Sequence, residues 1–312
     1  MILQLTMPEP SQYQRTNDEF HRPVLLKEVM EYLQPRPGGV YVDATLGMGG
    51  HALEILKIIG PEGMLIGLDR DEASIRQARV NLGAYFKQTH FVNSNFRKIA
   101  QVISDFNVDK VDGILIDCGI SSFQLNNPQR GFSLRADGPL DMRMNQEGHI
   151  SAYDLVNSLS EKELEKIIRD YGEERWSHRI ARSITVHRSQ SPIETTRQLR
   201  HIIMKAMPGK RSHTRIHPAT RTFQAFRIAV NAEIESLKQF LDQAPLFLRK
   251  GARLAVISFH SLEDRLVKHT FREQAKSGGI EVLTKKPIRP TEVEIKDNPR
   301  ARSARLRIAE RK

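Results

Sequence analysis

Three acids stand where a parallel sheet could use them for chemistry. Asp43 closes the β-prone run Val40-Tyr41-Val42, Asp69 closes Met64 to Leu68, and Asp117 closes Val111 to Ile116. The first is followed by Ala-Thr-Leu-Gly47-Met-Gly49-Gly50 and then by apolar residues at helical spacing, Ala52, Leu53, Leu56 and Ile59. Strand, acid, glycine turn and helix together build a cofactor site at the carboxyl end of a first strand. The glycines let the chain turn sharply and bring backbone close to a ligand.

Several ligands suit such a turn. Gly47, Gly49 and Ala52 fit G-x-G-x-x-A, the alanine form of the dinucleotide fingerprint. A nicotinamide or flavin enzyme therefore stays open at this point, as does a merely structural turn. Two details favour S-adenosylmethionine. Asp43 precedes the turn in the order D-x-x-x-G-x-G, where a carboxylate can face an ammonium group, and the chain suits a large polyanionic substrate better than a small hydroxy acid.

The later strand ends refine this. Asp69 is placed to bind a ribose, with capping of the next helix as the plain alternative. Asn95-Phe96 follows the third strand, where the ring could stack on a base or simply belong to the core. Asp117 points at the sheet's switch point. The exocyclic amine of cytosine or adenine is a poor nucleophile because its lone pair is delocalised into the ring. Acceptors such as a carboxylate on its N–H groups hold it while the lone pair turns towards the methyl group, so positioning and fixed dipoles supply much of the rate. Asp117 could instead cap the following turn. In Ser258-Phe-His260-Ser-Leu-Glu-Asp264-Arg, Ser261 and Asp264 read as a helix-capping pair, and no G-x-S-x-G surrounds either serine. His260 is the one residue there to test for a catalytic role.

The elements that must position these groups alternate. The spacing predicts helices at 24–32, 50–59, 71–82 and 97–105, and strands at 40–43, 64–68, 90–93 and 111–116. This is the pattern of a doubly wound α/β sheet. Residues 119–149 read as a long loop, and 151–215 are helical only, with Ser160-Glu-Lys-Glu163 as a capping box. A helix at 174–188 would set Arg175, Arg179 and Arg182 on one face. Residues 220–241 read as one long helix with Phe223, Phe226, Val230, Ile234, Leu237 and Leu241 inward. The strand Arg253–Phe259 and a helix from Leu262 resume the sheet, 285–299 read as irregular, and Leu306–Ile308 as a late strand. The expected architecture is one α/β domain, 1–139 with 216–312, split by a helical domain at 140–215.

The charge is +11, from 48 basic and 37 acidic residues, which favours a polyanionic partner. From Arg175 to Ala232 there is one acid, Glu194, against 12 Lys or Arg, among them Lys210, Arg211 and Arg215. A solvated helix normally mixes signs, so this stretch reads as a phosphate-binding face. Arg300, Arg302, Arg305, Arg307, Arg311 and Lys312 form a second basic patch or a solvated tail. The single cysteine, Cys118, excludes an internal disulfide and a cysteine-rich zinc site. No apolar run approaches the roughly 20 residues of a membrane span, and the N-terminus lacks the marks of a secretory or transit peptide. A cytoplasmic protein is expected.

At this point the residues resemble a known family, the bacterial small-subunit ribosomal RNA cytosine-N4 methyltransferases. The matching motifs are His21-Arg-Pro-Val-Leu-Leu-Lys-Glu-Val29, Asp43-Ala-Thr-Leu-Gly-Met-Gly-Gly-His51, Asp112-Gly-Ile-Leu-Ile-Asp117, Arg130-Gly-Phe-Ser-Leu134, Asp137-Gly-Pro-Leu-Asp-Met-Arg-Met144, Pro218-Ala-Thr-Arg-Thr-Phe-Gln-Ala-Phe-Arg-Ile228, Ser258-Phe-His-Ser-Leu-Glu-Asp-Arg265 and Asn298-Pro-Arg-Ala-Arg-Ser303. The resemblance implies a Rossmann-like class I methyltransferase sheet with an inserted all-helical domain. It implies methylation of N4 of a decoding-centre cytosine in 16S rRNA of the small ribosomal subunit, with S-adenosylmethionine as donor. It carries cofactor contacts to Gly49, Gly50, His51, Asp69, Phe96, Asp117 and Gln124. The chain departs from the family at Cys118, Phe123 and Asn126, where Leu, Pro and Asp are usual, which bears on the backbone path around Gln124. The expected reaction is a direct in-line transfer with no covalent enzyme intermediate and no metal. Oligomeric state is left open, a homodimer included. The competing readings are an RNA-binding factor without catalysis and, further off, a nicotinamide oxidoreductase.

Overall fold

The computed structural model describes residues 23–208 and 217–312. Lys210, Arg211 and Arg215, and the N-terminal residues 1–20, lie outside the described residues. Seven strands form one sheet: β1 Val40–Asp43, β2 Met64–Asp69, β3 Thr89–Asn93, β4 Val111–Asp117, β5 Leu248–Ser258, β6 Ile280–Val282 and β7 Arg305–Arg311. Their order is β3-β2-β1-β4-β5-β7-β6. β1 to β5 run parallel, and β7 is antiparallel to both β5 and β6. β1 lies between β2 and β4, so chain order reverses at its carboxyl end and opens a crevice there.

Side chains alternate across the pleat. Val42, Ile66, Ile114, Ile116 and Val256 pack on one face, with Phe240 and Phe271 from covering helices. Tyr41, Leu65, Leu115 and Ile257 pack on the other, with Ile55, Leu56 and Leu82. Burial on both faces explains why these strands read as near-continuous apolar runs.

Between β4 and β5 the chain leaves the sheet. Helices Ala152–Ser158, Glu161–Gly172, Ser177–Arg188, Thr196–Ala206 and Thr220–Asn231 follow. Capping boxes open three of them, at Ser151 with Asp154, Ser160 with Glu163, and Thr195 with Gln198. A separate apolar cluster holds them together, from Phe132, Leu140, Met142 and Met144 through Leu164, Ile180 and Leu199 to Phe223 and Phe226.

Four expectations are corrected. The long helix at 220–241 is two helices, Thr220–Asn231 and Glu233–Gln243, broken at Ala232 (φ 46°). A left-handed non-glycine residue costs about 1–2 kcal/mol. The break is held by its neighbours: the Asn231 amide bonds the backbone at Met142 and Met144, and Glu233 grips Arg227 through both oxygens. Second, Arg175 lies on the turn before its helix, which starts at Ser177. Third, the last residues are not a solvated tail: Arg305–Arg311 form β7, Arg305 and Arg307 bind Asp264, Arg311 donates to Gly279 O, and Lys312 pairs with Glu281. Fourth, the segment read as irregular contains the helix Glu292–Asp297.

Candidate active site

The glycine turn takes its shape from two left-handed residues, Gly47 (φ 52°) and Gly49 (φ 87°). A Cβ on Gly49 would lie 2.9 Å from Leu82, and one on Gly50 2.7 Å from Pro23. Gly49 is thus required by contact and by conformation, and Gly50 by contact.

The three acids converge around this turn. Asp69 accepts from Gly47 N (2.8 Å) and from Asp71 N (2.8 Å), which ties the end of β2 to the loop. Asp43 accepts from Thr45 N (3.1 Å), and the Thr45 hydroxyl oxygen accepts from Asp117 N (2.6 Å). Asp117 Oδ1 is buried with no hydrogen-bond partner. Its Oδ2 lies 4.0 Å from His51 Nδ1. Val24 O, which can only accept, lies 3.0 Å from His51 Nε2, so that nitrogen donates and the other faces Asp117.

Among the described residues no Lys or Arg forms an ion pair with these three acids, and burial dominates their acidities. Burial, reinforced by Asp69, raises Asp43 to about 7 against the lowering bond from Thr45 N–H. Burial raises Asp69 to about 6 despite two backbone bonds. Burial, with Asp43 and Glu263 nearby, pushes Asp117 well above the usual carboxylate range. Asp69 and Asp117 still keep a partial opening to solvent, as a ligand site requires. Carboxyls set this way favour a ligand that brings positive charge and hydroxyl donors.

Phe96 is buried edge-on against Phe240 at 5.6 Å, with the Arg70 guanidinium 5.7 Å from its centroid. Gln124 is buried, and both ends of its amide are engaged: Oε1 accepts from Ser121 N (3.1 Å) and Nε2 donates to Asp71 (2.8 Å). His260 is the N-cap of helix Ser261–Lys276, in a capping box with Glu263. This corrects the expected pair Ser261 and Asp264. Ser261 donates to Glu173 and Asp264 holds β7 instead. His260 Nε2 lies 3.1 Å from Glu263 Oε1 without the alignment of a hydrogen bond. Burial alone would raise Glu263, but His260 and Arg227 beside it hold it below its ordinary range. Glu233, His260 and Glu263 come within 4.8 Å of one another, yet the Arg227 guanidinium already occupies Glu233.

Away from the crevice, Arg175 and Arg179 flank the Trp176 ring at 4.7 and 5.7 Å. With Arg182 they are exposed and have no acidic partner among the described residues. Other cations of the one-acid stretch serve the fold: Arg188 binds Val156 O and Leu159 O, Arg200 binds Leu134 O, and Arg221 binds Glu173 O. Sequence reasoning missed Asp71 and Arg130, a fully buried pair at 2.8 Å. The motif Arg130-Gly-Phe-Ser-Leu134 was the available signal.

S-adenosylmethionine fits this site: its ammonium charge suits Asp43, and its ribose hydroxyls suit Asp69, which leaves the orphaned oxygen of Asp117 open to a further donor. Sheet order, glycine turn and strand-end acids define a Rossmann-like class I methyltransferase that uses S-adenosylmethionine. More narrowly, the chain belongs to the MraW methylase family, whose profile matches residues 18–312. It is 51% identical over 306 residues to a "Ribosomal RNA small subunit methyltransferase H" of Geobacter sulfurreducens, covering 93% of this chain and 98% of the relative. A protein of the same name from Geotalea uraniireducens is 49% identical over 310 residues, covering 95% and 99%. Among solved structures, TrmN from Thermus thermophilus aligns with a TM-score of 0.43 at 14% identity, over 92% of this chain and 48% of that one. No helix among the described residues is long and apolar enough to cross a membrane.

Proposed function

We propose that the protein methylates 16S ribosomal RNA of the small subunit, and that the atom modified is the exocyclic N4 of a cytosine. The names of its relatives support the RNA. The observation that carries the chemistry is Asp117 Oδ1, a buried acceptor without a donor at the end of β4.

S-adenosylmethionine, when bound, supplies the methyl group as an electrophile. The chain's own part is positioning. Asp43 faces the ammonium, Asp69 takes the ribose hydroxyls, and Gly47, Gly49 and Gly50 allow the backbone to come close. His51 stands beside Asp117 and fixes the wall of the pocket through its bond to Val24 O. Asp117 accepts from an N–H of the amine and holds it in line as its lone pair turns outward. A cation next to Asp43 and Asp117 restores their ionised forms, so binding releases protons. Phe96 packs beside the base of the cofactor. Gln124 acts by shaping the loop, since its amide is already committed to Ser121 and Asp71. His260 acts through Glu263, as a positioning residue. Arg175, Arg179 and Arg182 meet RNA phosphates, with Trp176 as an aromatic platform. The helical region 140–215 serves as the RNA-binding insert, and Lys210, Arg211 and Arg215 are further candidates for RNA contact by their charge.

The test is incubation with methyl-labelled S-adenosylmethionine and unmethylated small subunits, followed by nucleoside analysis. Label in N4-methylcytidine is expected. Label in another nucleoside would overturn the assignment of the atom. RNA binding with no label would replace the enzyme by a binding factor.

A further inference from the structure

Residues 69–71 do more than end a strand. Asp69, the ribose acid, accepts from Asp71 N at 2.8 Å. Its two successors reach in different directions and arrive at one place. Arg70 donates to Asn231 O at 2.8 Å. Asn231 in turn donates to Met142 O (2.8 Å) and accepts from Met144 N (2.8 Å). Asp71 accepts from Arg130 Nη1 at 2.8 Å, and Arg130 Nη2 donates to Arg143 O (3.0 Å) and Met144 O (2.9 Å). Arg130 O also accepts from Met142 N at 3.1 Å. The segment 142–144 is therefore gripped from two sides by chains of bonds that both begin beside Asp69.

That segment belongs to the insert. The side chains of Met142 and Met144 are buried in the cluster that holds the helices carrying Ile180 and Leu199. Met142 has φ 60°, a left-handed conformation that an unbranched non-glycine residue keeps only where its surroundings impose it. A buried ion pair such as Asp71 with Arg130 gives little net stability, but moving its partners apart is expensive. The two ends thus shift together or not at all. A ligand that bonds Asp69 favours one placement of 69–71, and an RNA seated on the insert favours one placement of 142–144. Because the two segments are tied, each ligand biases the placement that the other needs.

We propose that Arg130 and Asn231 are positioning residues that couple the cofactor end of the sheet to the insert, so that S-adenosylmethionine and ribosomal RNA bind with positive cooperativity. The proposal rests on the functional reading above, in which Asp69 takes the cofactor and the insert takes RNA. By linkage, each ligand tightens the other by the same factor.

The experiment uses the full chain, with S-adenosylhomocysteine as the cofactor probe and unmethylated small subunits as the RNA probe. Affinity for each is measured alone, and subunit affinity is then measured at saturating S-adenosylhomocysteine. In the wild type the tightening is expected to be at least about fivefold, the low end for coupled sites. Asn231→Ala and Arg130→Gln each cut one of the two chains, so each should lower the factor and the double variant should bring it to one, while both affinities measured alone are kept. Asn231→Asp, near-isosteric but lacking the donor to Met142 O, gives the same reading should Arg130→Gln fail to fold. Failure of either probe to bind alone would overturn the functional reading and the coupling with it. Binding of both with no tightening in the wild type, or full tightening in folded Asn231→Asp, would overturn the coupling alone.

Discussion

Two sets of buried acids lie side by side in this molecule, and they differ in what surrounds them. Asp71, Glu233 and Glu263 have partners: Arg130 for the first, Arg227 through two bonds for the second, and His260 with two backbone N–H groups for the third. Asp43 and Asp69 have backbone bonds only, Asp117 has the His51 ring at 4.0 Å and an oxygen with no partner, and burial raises all three. The paired acids are parts of the fold. The unpaired ones are held in readiness for charge and donors that the chain itself does not provide. Burial alone does not mark a functional carboxylate; burial without compensation does.

The comparison breaks most sharply at Asp117. Asp117→Ala should lower methyl transfer by at least about 10²–10³-fold, the scale for losing one oriented electrostatic partner. Its thermal unfolding should be unimpaired, because an uncompensated buried acid contributes nothing that the fold needs. Near-normal turnover in a label-transfer assay would remove Asp117 from the mechanism. The paired set should behave in the opposite way. Arg227→Ala leaves Glu233 buried without its partner and should cost about 3–5 kcal/mol in chemical denaturation. A loss near zero would mean that Glu233 is already satisfied elsewhere.

Asp69→Ala should weaken S-adenosylhomocysteine binding by about 1–3 kcal/mol, read by calorimetry. An unchanged dissociation constant would sink the ribose role. A smaller effect is the pH dependence. Asp43 and Asp69 are raised to about 7 and about 6, so both lose protons between pH 5 and 8. The cofactor needs the ionised forms, so its affinity should rise over that window, by roughly tenfold for each unit through which a group's acidity is shifted on binding. The ligand-free protein should show the reverse. A carboxyl raised in the fold contributes stability that is full below its unfolded value and is lost as pH rises through its folded one. Thermal stabilisation by the ligand should therefore be larger at pH 8 than at pH 5.5, and a flat profile would contradict the raised acidities. Smallest in effect is charge reversal at Arg175, Arg179 and Arg182, which should weaken subunit binding and flatten its salt dependence. An unaltered slope would show that this face meets no phosphate.

The sheet was legible because its strands are buried on both faces and end in acids or turns. Val40–Asp43 and Val111–Asp117 carry their own boundaries. The break at Ala232 was not legible. Alanine is the best helix former, and the apolar spacing from Phe223 to Leu241 runs across it without interruption. The break depends on Asn231 reaching Met142 and Met144, a contact between distant segments. Asp71 and Arg130 escaped for the same reason, and so did the fate of the C-terminal arginines, which a strand and Asp264 absorb. Local chemistry fixed the caps only in part. The box at Ser160 could be read, while His260 displaced the serine beside it as the N-cap because Glu263, not Asp264, stands three residues on.

The long excursion between β4 and β5 also sets the order in which the protein can be made. β4 pairs Ile116 with Val256 in parallel register, with residues 118–247 between the two strands. On a ribosome, β1 to β4 emerge first and leave β4 as an unpaired edge, a surface that invites wrong partners. It stays so until the insert has been synthesised and β5 arrives. Contacts this distant in sequence form slowly. An insert packed around its own apolar cluster shortens the span that must close before β5 can reach β4.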